Sequence, residues 1–322
     1  MATTYQHIAE NTRKTWLLML LFPVTFVALT WGVFLCVAAF ASSDAATSQE
    51  LIQSGSHFLG IGSLTVWGIA LLWIIISYFV GDKWLLSGAG AVHLSEKNFP
   101  EIYRLVENLC ISRGLPVPRV FLINDDSLNA FATGRDPEHA SVVLTTGIVK
   151  KLNRAELEGV IAHELSHVEN RDIRLMLICV AGISFFTFVG EVIIRSALRS
   201  RGRSKDDGMV RLLFLLIGLL FLLYGCIFAP LIRLAVSRRR EYQADASAAL
   251  MTRNPAALAS ALRKISSDSR VEVLDKHESM AAMCIANPLG KKGIFSWLAG
   301  LTATHPPVEK RIAALEEMDR GF

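Results

Sequence analysis

Two histidines four residues apart flank a glutamate in the run His163-Glu164-Leu165-Ser166-His167. On a helix, positions i and i+4 share a face, so both imidazoles can bind one metal ion. Glu164 sits one position on, where its carboxylate reaches a water at the same ion. This is the H-E-x-x-H arrangement of zinc peptidases. Such a site needs a third protein ligand and keeps one position open for water. Glu241-Tyr242-Gln243-Ala244-Asp245 offers two carboxylates one helical turn apart. Glu241 is the expected third ligand, giving a set of two histidines and one glutamate around one Zn2+ per chain. Asp245 can accept the free ring N–H of a ligating histidine and fix its tautomer. Taken alone, this acidic pair reads as a salt-bridge face beside Arg238, Arg239 and Arg240. Its weight comes from appearing with the first motif.

Helices must carry both motifs. One is expected over residues 154–172, with continuation into the following apolar run left open, and another over 238–252. Residues 95–113 read as an amphipathic helix, with Ile102, Leu105, Val106 and Leu109 at helical spacing. Gly114-Leu115-Pro116-Val117-Pro118 ends it. Short strands are expected over 120–123, 129–134 and 141–145, the last two around a turn at Arg135-Asp136-Pro137. Asn254-Pro255 opens a helix over 256–266 with the proline in its first turn. Pro306-Pro307 precedes a closing helix over 308–318.

Composition decides the surroundings. Of 322 residues, 52% are hydrophobic and the mean hydropathy is positive, as in an integral membrane protein. Four apolar runs, at 16–40, 58–80, 175–194 and 212–232, match the roughly 20 residues that cross a hydrocarbon core. The first follows Arg13 and Lys14, yet is too long for the apolar core of a signal peptide, so it reads as a retained anchor. Glu191, near the end of the third run, can pair with Arg195 one turn on. Basic residues precede the first run and follow the second, while 41–57 holds none. The N-terminus (1–15) and the chain after 80 are therefore expected in the cytoplasm, with 41–57 outside. Both flanks of the fourth run are basic, so this rule does not place the loop between the third and fourth. The length of the fourth run favours a full crossing. The expected fold is thus mainly α: four apolar helices plus a zincin-like α+β domain with a small β-sheet. That domain has a first part at 81–174 and a second at 233–322, separated by the hairpin 175–194 and 212–232. Five scattered cysteines without C-x-x-C spacing argue against a disulfide framework and a thiolate zinc site.

Further stretches match a known family. They are Asn129-Ala130-Phe131-Ala132, residues 158–172 around the histidine pair, 237–245, Asn254-Pro255-Ala256-Ala257-Leu258, and Thr304-His305-Pro306-Pro307 followed by Arg311. In their order and spacing, from about residue 80 to 315, the chain resembles the HtpX-like family of integral-membrane zinc peptidases, related to the CAAX prenyl proteases. A longer N-terminus and a large polar stretch at 41–57 depart from the family.

The resemblance implies metal-assisted peptide hydrolysis, with zinc on His163, His167 and Glu241 and with Glu164 as general base. It suggests His305 as donor to the oxyanion, and Arg311 to orient His305 or to pair with a site carboxylate. Asn129, Ala130, Phe131 and Ala132 would lend a strand edge to an extended substrate backbone. Asn170 and Asp172 match the family pattern just after the metal helix, where they would support a ligand or end the helix. The implied substrates are polypeptides, above all misfolded membrane proteins. The implied place is the lipid bilayer of a bacterial inner membrane, with the active site facing the cytoplasm. The sequence leaves the oligomeric state open.

Two competing readings are a CAAX-type processing peptidase, which would have more spans, and a non-catalytic membrane scaffold with a structural metal site. Against the scaffold, every position of a catalytic set is filled and the apolar runs carry almost no polar pathway residues. A nucleic-acid-binding role is set aside, because the arginines flank apolar spans and suit anionic headgroups.

Overall fold

The computed structural model describes residues 45–199, 206–235, 238–267 and 306–320, together with most of 9–31. His305 lies outside the described residues. In chain order the elements begin with α1 (Thr12–Leu29), α2 (Ala45–Gly88), β1 (Val92–His93), α3 (Pro100–Arg113), β2 (Arg119–Ile123) and β3 (Ala130–Thr133). Then come β4 (Ser141–Thr145), α4 (Thr146–Lys151), α5 (Arg154–Glu169), α6 (Asp172–Arg199) and α7 (Asp206–Ala235). The chain closes with α8 (Arg238–Thr252), α9 (Pro255–Ser267) and α10 (Val308–Asp319). Two compact units share these elements. One combines Met1–Lys14, Tyr78–Val180 and Pro230–Phe322, the other Thr15–Ser77 and Ala181–Ala229.

The first unit is built around a four-stranded mixed sheet in the order β1-β2-β4-β3. β2 and β4 run parallel, from Arg119 opposite Ser141 to Ile123 opposite Thr145. β3 returns antiparallel on β4, and β1 on β2. Alternate side chains divide between the faces, as the pleat requires. Ala130, Ala132, Val120, Val142 and Leu144 join a core with Leu105 and Leu109 of α3, Val160, Ile161 and Leu165 of α5, and Leu258 and Leu262 of α9. Ile123, Phe131 and Val143 face the other way, onto Leu85 and Leu86 of α2 and Val180 of α6. Burial of both faces explains why these strands read as nearly continuous apolar runs.

Helix α5 starts at a capping box: the Asn153 side chain accepts from the Glu156 N–H while the Glu156 carboxylate accepts from the Asn153 N–H. The same buried carboxylate also accepts from Ser260 Oγ and Lys264 Nζ of α9, both at 2.7 Å. Close approach of α5 and α9 requires Gly159, where an added Cβ would sit 3.2 Å from Leu258 Cα. Helices α5 and α6 are separate. Arg171 adopts a left-handed φ of 58° and breaks the path between them.

The second unit is helical. Among the described residues, three helices are long and apolar enough to cross a membrane: Thr12–Leu29, Trp67–Gly88 and Asp172–Arg199. A shorter apolar stretch, Arg211–Tyr224, lies on α7. The helix carrying the second apolar run reaches back to Ala45, through most of the polar stretch expected as a connection. Within this unit Trp73 donates from Nε1 to the Ala181 carbonyl at 3.2 Å and packs on Phe185, with ring centroids 5.2 Å apart. Phe186 meets Tyr224 of α7 edge to face. Gly190 and Gly218 let α6 and α7 cross closely, since a Cβ on Gly190 would stand 2.9 Å from the Gly218 carbonyl oxygen. Glu191 pairs with Arg195. Leu72, Ile75, Phe188, Val192, Leu216 and Leu223 remain exposed, which suits contact with lipid chains.

Candidate metal centre

Helix α5 presents His163, Glu164 and His167 from within the core, where His163 is 1% and Glu164 3% exposed. The Nε2 atoms of the two histidines stand 3.2 Å apart. Two nitrogens each bound about 2.0–2.1 Å from a tetrahedral zinc are about 3.3 Å apart, so both rings aim at one point. Helix α8 packs against α5 and brings the fully buried Glu241 to the same point. Its Oε1 lies 3.5 Å from His167 Nε2 and its Oε2 3.8 Å from His163 Nε2. One donor atom from each of these three residues falls within a 4.8 Å span.

The opposite ring nitrogens are held by carboxylates. His163 Nδ1 is 3.0 Å from Asp245 Oδ1, and His167 Nδ1 is 3.0 Å from Asp172 Oδ2. A hydrogen on Nδ1 leaves the Nε2 lone pair for the metal, the tautomer a ligating histidine needs. Asp245 is gripped in turn by Arg311, whose Nε and Nη2 donate to its two oxygens at 2.8 and 2.7 Å. Arg311 Nη1 also lies 3.5 Å from Glu241 Oε2. Asp172 accepts from Arg240 Nη1 at 2.9 Å.

These contacts set the ionisation of the cluster. Burial disfavours a charged His167, but the hydrogen bond to Asp172 and the negative charges of Glu241, Asp172 and Glu164 outweigh it and push its pKa up to about 9. Burial likewise works against an ionised Asp245, and the Arg311 guanidinium more than compensates, holding that carboxyl below the usual range. Arg311 is itself driven up, since Asp245, Glu241 and Glu164 overcome its desolvation. Four carboxyl groups (Glu164, Asp172, Glu241, Asp245) and two guanidiniums (Arg240, Arg311) surround the two imidazoles. The excess of acidic groups where the Nε2 atoms converge suits a cation. Donor types, spacing and charge therefore fit a divalent metal.

The other residues singled out from sequence fall as follows. Asn129 is buried beside Ala130, the first residue of β3, and its side-chain oxygen accepts from the Ala130 N–H at 3.0 Å. Ala130, Phe131 and Ala132 lie on β3, which packs against α5 and, among the described residues, has β4 as its sole sheet neighbour. Asn170 is the C-cap of α5, with its N–H bonded to the Ser166 carbonyl at 3.0 Å. Asp172 opens α6, and Arg311 enters from α10. Arg240 is the participant that sequence reasoning missed. It looked like one of three arginines beside an apolar span, yet it is buried and faces Asp172.

Two histidines sharing one focus with a buried glutamate, and a second glutamate beside them, are the residue set of a metallopeptidase. Comparison with known proteins supplies the lineage. The chain belongs to peptidase family M48, whose model matches residues 96–319. It is 41% identical over 316 residues to a Protease HtpX homolog of Bacteroides fragilis, covering 96% of this chain and 97% of that one. A Protease HtpX homolog of Ligilactobacillus salivarius is 41% identical over 317 residues, covering 98% and 99%. One from Caldanaerobacter subterraneus subsp. tengcongensis is 36% identical over 328 residues, covering 98% of each chain. Among solved structures, the crystal structure of S. mikatae Ste24p matches with a TM-score of 0.44 and 18% identity, over 94% of this chain and 66% of that chain.

Proposed function

We propose that the protein is a membrane-embedded zinc endopeptidase that cleaves misfolded membrane proteins and membrane-proximal segments at the cytoplasmic face of a bacterial inner membrane. The observation that carries the reading is the 3.2 Å convergence of His163 and His167 Nε2 on the side where Glu241 approaches. In this reading His163, His167 and Glu241 hold the ion, and the domain around them is zincin-like. When bound, zinc supplies Lewis acidity toward a water and toward the scissile carbonyl.

The chain's own groups do the rest. Glu164 takes a proton from the attacking water and returns it to the leaving amine. Asp245 and Asp172 orient the two imidazoles, and Arg311 steadies Asp245. The side of β3 away from β4, with Asn129 before its start, receives the substrate as an added strand, so recognition runs through main-chain hydrogen bonds and tolerates varied sequences. His305 is assigned to the oxyanion, as the family resemblance implies. The membrane part is completed by α7 as a fourth, fully crossing span. Basic residues at 13, 14 and 83, against none at 41–57, support a cytoplasmic active site.

Zinc content and casein cleavage of purified protein in detergent, with and without chelator, test this proposal. Wild type should carry about one zinc and cleave, while Glu164→Gln should keep the metal and lose at least about 100-fold in rate, as expected for a lost general base. If neither variant binds zinc, or both cleave equally, the reading fails.

A further inference from the structure

Each presumed ligand histidine is backed by the same pair of residue types. His163 Nδ1 meets Asp245, which is held by the buried Arg311. His167 Nδ1 meets Asp172, which is held by Arg240. The two His–Asp–Arg chains use different elements: the first draws on α8 and α10, the second on the start of α6 and the start of α8.

Arg240 is 7% exposed, and a buried guanidinium is costly unless a carboxylate meets it in good geometry. Here its Nη1 donates to Asp172 Oδ1 at 2.9 Å, while the other oxygen of that carboxylate faces His167 at 3.0 Å. One oxygen is thus committed to the arginine and the other to the imidazole. A carboxylate clamped in this way cannot rotate without breaking one of the two contacts, so the ring plane of His167 is set from a distance. Resting on the metallopeptidase reading above, we infer that Arg240 is a positioning residue for the metal site. It acts through Asp172 on His167, as Arg311 acts through Asp245 on His163.

The alternative is that Arg240 merely anchors the start of α8 and affects the site by moving its neighbour Glu241. Zinc affinity of the full-length protein in detergent, measured by competition with a chromophoric zinc chelator, separates the two. Arg240→Gln should bind zinc roughly 10- to 100-fold more weakly, with Arg240→Lys in between, because lysine restores the charge but not the planar geometry. Asp172→Asn should weaken binding to a similar degree. In the Asp172→Asn background, adding Arg240→Gln should cause little further loss, since the chain is already broken. At saturating zinc the KM for casein should stay near that of wild type in every variant, because none of these groups meets the substrate.

Additive losses in the double variant would place the effect on Glu241 and overturn the inference. Wild-type zinc affinity in both Arg240→Gln and Arg240→Lys would overturn it too, whatever happens to thermal stability. A wild type that binds no zinc would overturn the metallopeptidase reading itself, a result distinguishable from the other two. Should Arg240→Gln fail to fold, the charge-retaining Arg240→Lys carries the comparison alone.

Discussion

Asp245 and Arg311 face each other with almost no access to water, at 1% and 2% exposure, through two hydrogen bonds. Removing Asp245 strips both hydrogen bonds from the buried guanidinium and leaves it the longer approach of Glu241 at 3.5 Å, a change that costs up to about 3–5 kcal/mol. Asp245→Ala should therefore destabilise the metal-free protein by up to that amount in denaturant unfolding. The double variant Asp245→Ala/Arg311→Met should recover much of the loss, because it removes the stranded guanidinium. At this scale the sequence was most informative where spacing alone dictates geometry. His163 and His167 share a face because α5 is a helix, and Glu241 and Asp245 share one because α8 is a helix. Arg240 was illegible for the opposite reason. In a run of three arginines beside an apolar segment, nothing local tells the one that turns inward from those that meet water or headgroups.

Helix α9 is tied to the head of α5 through Glu156, whose carboxylate serves Asn153, Ser260 and Lys264 together. Burial opposes its ionisation, but the hydrogen bonds from Lys264, Ser260 and the Asn153 N–H prevail and lower its pKa below its ordinary value of 4.5. A carboxyl depressed in the folded state stabilises fully above its unfolded pKa and ceases to do so as pH falls through the folded value. Wild type should therefore lose stability on acidification below about pH 4.5 more steeply than Glu156→Gln, when thermal unfolding is followed as a function of pH. Boundaries at this scale were legible where chemistry marks them. Pro255 opens α9 and Pro306-Pro307 precede α10, while Gly114 at φ 66° closes α3. The break between α5 and α6 carries no glycine or proline and rests on a left-handed arginine; its mark in the sequence is Asn170, expected as a helix end and found as the C-cap of α5. β1 is only two residues long, too short for a period of two to show. The reach of α2 back to Ala45 was hidden because hydropathy reports where a helix is apolar, not where it begins.

On the scale of the whole molecule, the proposed ligands on α5 and α8 would make metal occupancy a stability term for the unit that contains both. A ligand that binds the folded state at about a thousand times its Kd adds about 4 kcal/mol. Zinc-loaded protein should accordingly unfold at a higher temperature than chelator-treated protein, and the gap should shrink in Glu241→Gln, which loses a ligand. Differential scanning calorimetry in detergent reads both effects. Composition marks the apolar runs, but it does not decide whether α7 crosses, since basic residues stand at both its ends. The unit that carries the candidate metal centre is also discontinuous, formed by Met1–Lys14, Tyr78–Val180 and Pro230–Phe322 with segments of the other unit between them in sequence. About 70 residues separate His167 from Glu241, most of them in α6 and α7. During synthesis, at about 5–20 residues per second, the histidine pair therefore emerges several seconds before Glu241, the proposed third ligand. With the ligand set proposed above, the nascent chain would pass through that interval with an incomplete site and no means to hydrolyse its neighbours. Competence to cut would then arrive only after the apolar hairpin has left the ribosome, so the order of the elements would delay proteolysis until the enzyme has had the opportunity to enter its membrane.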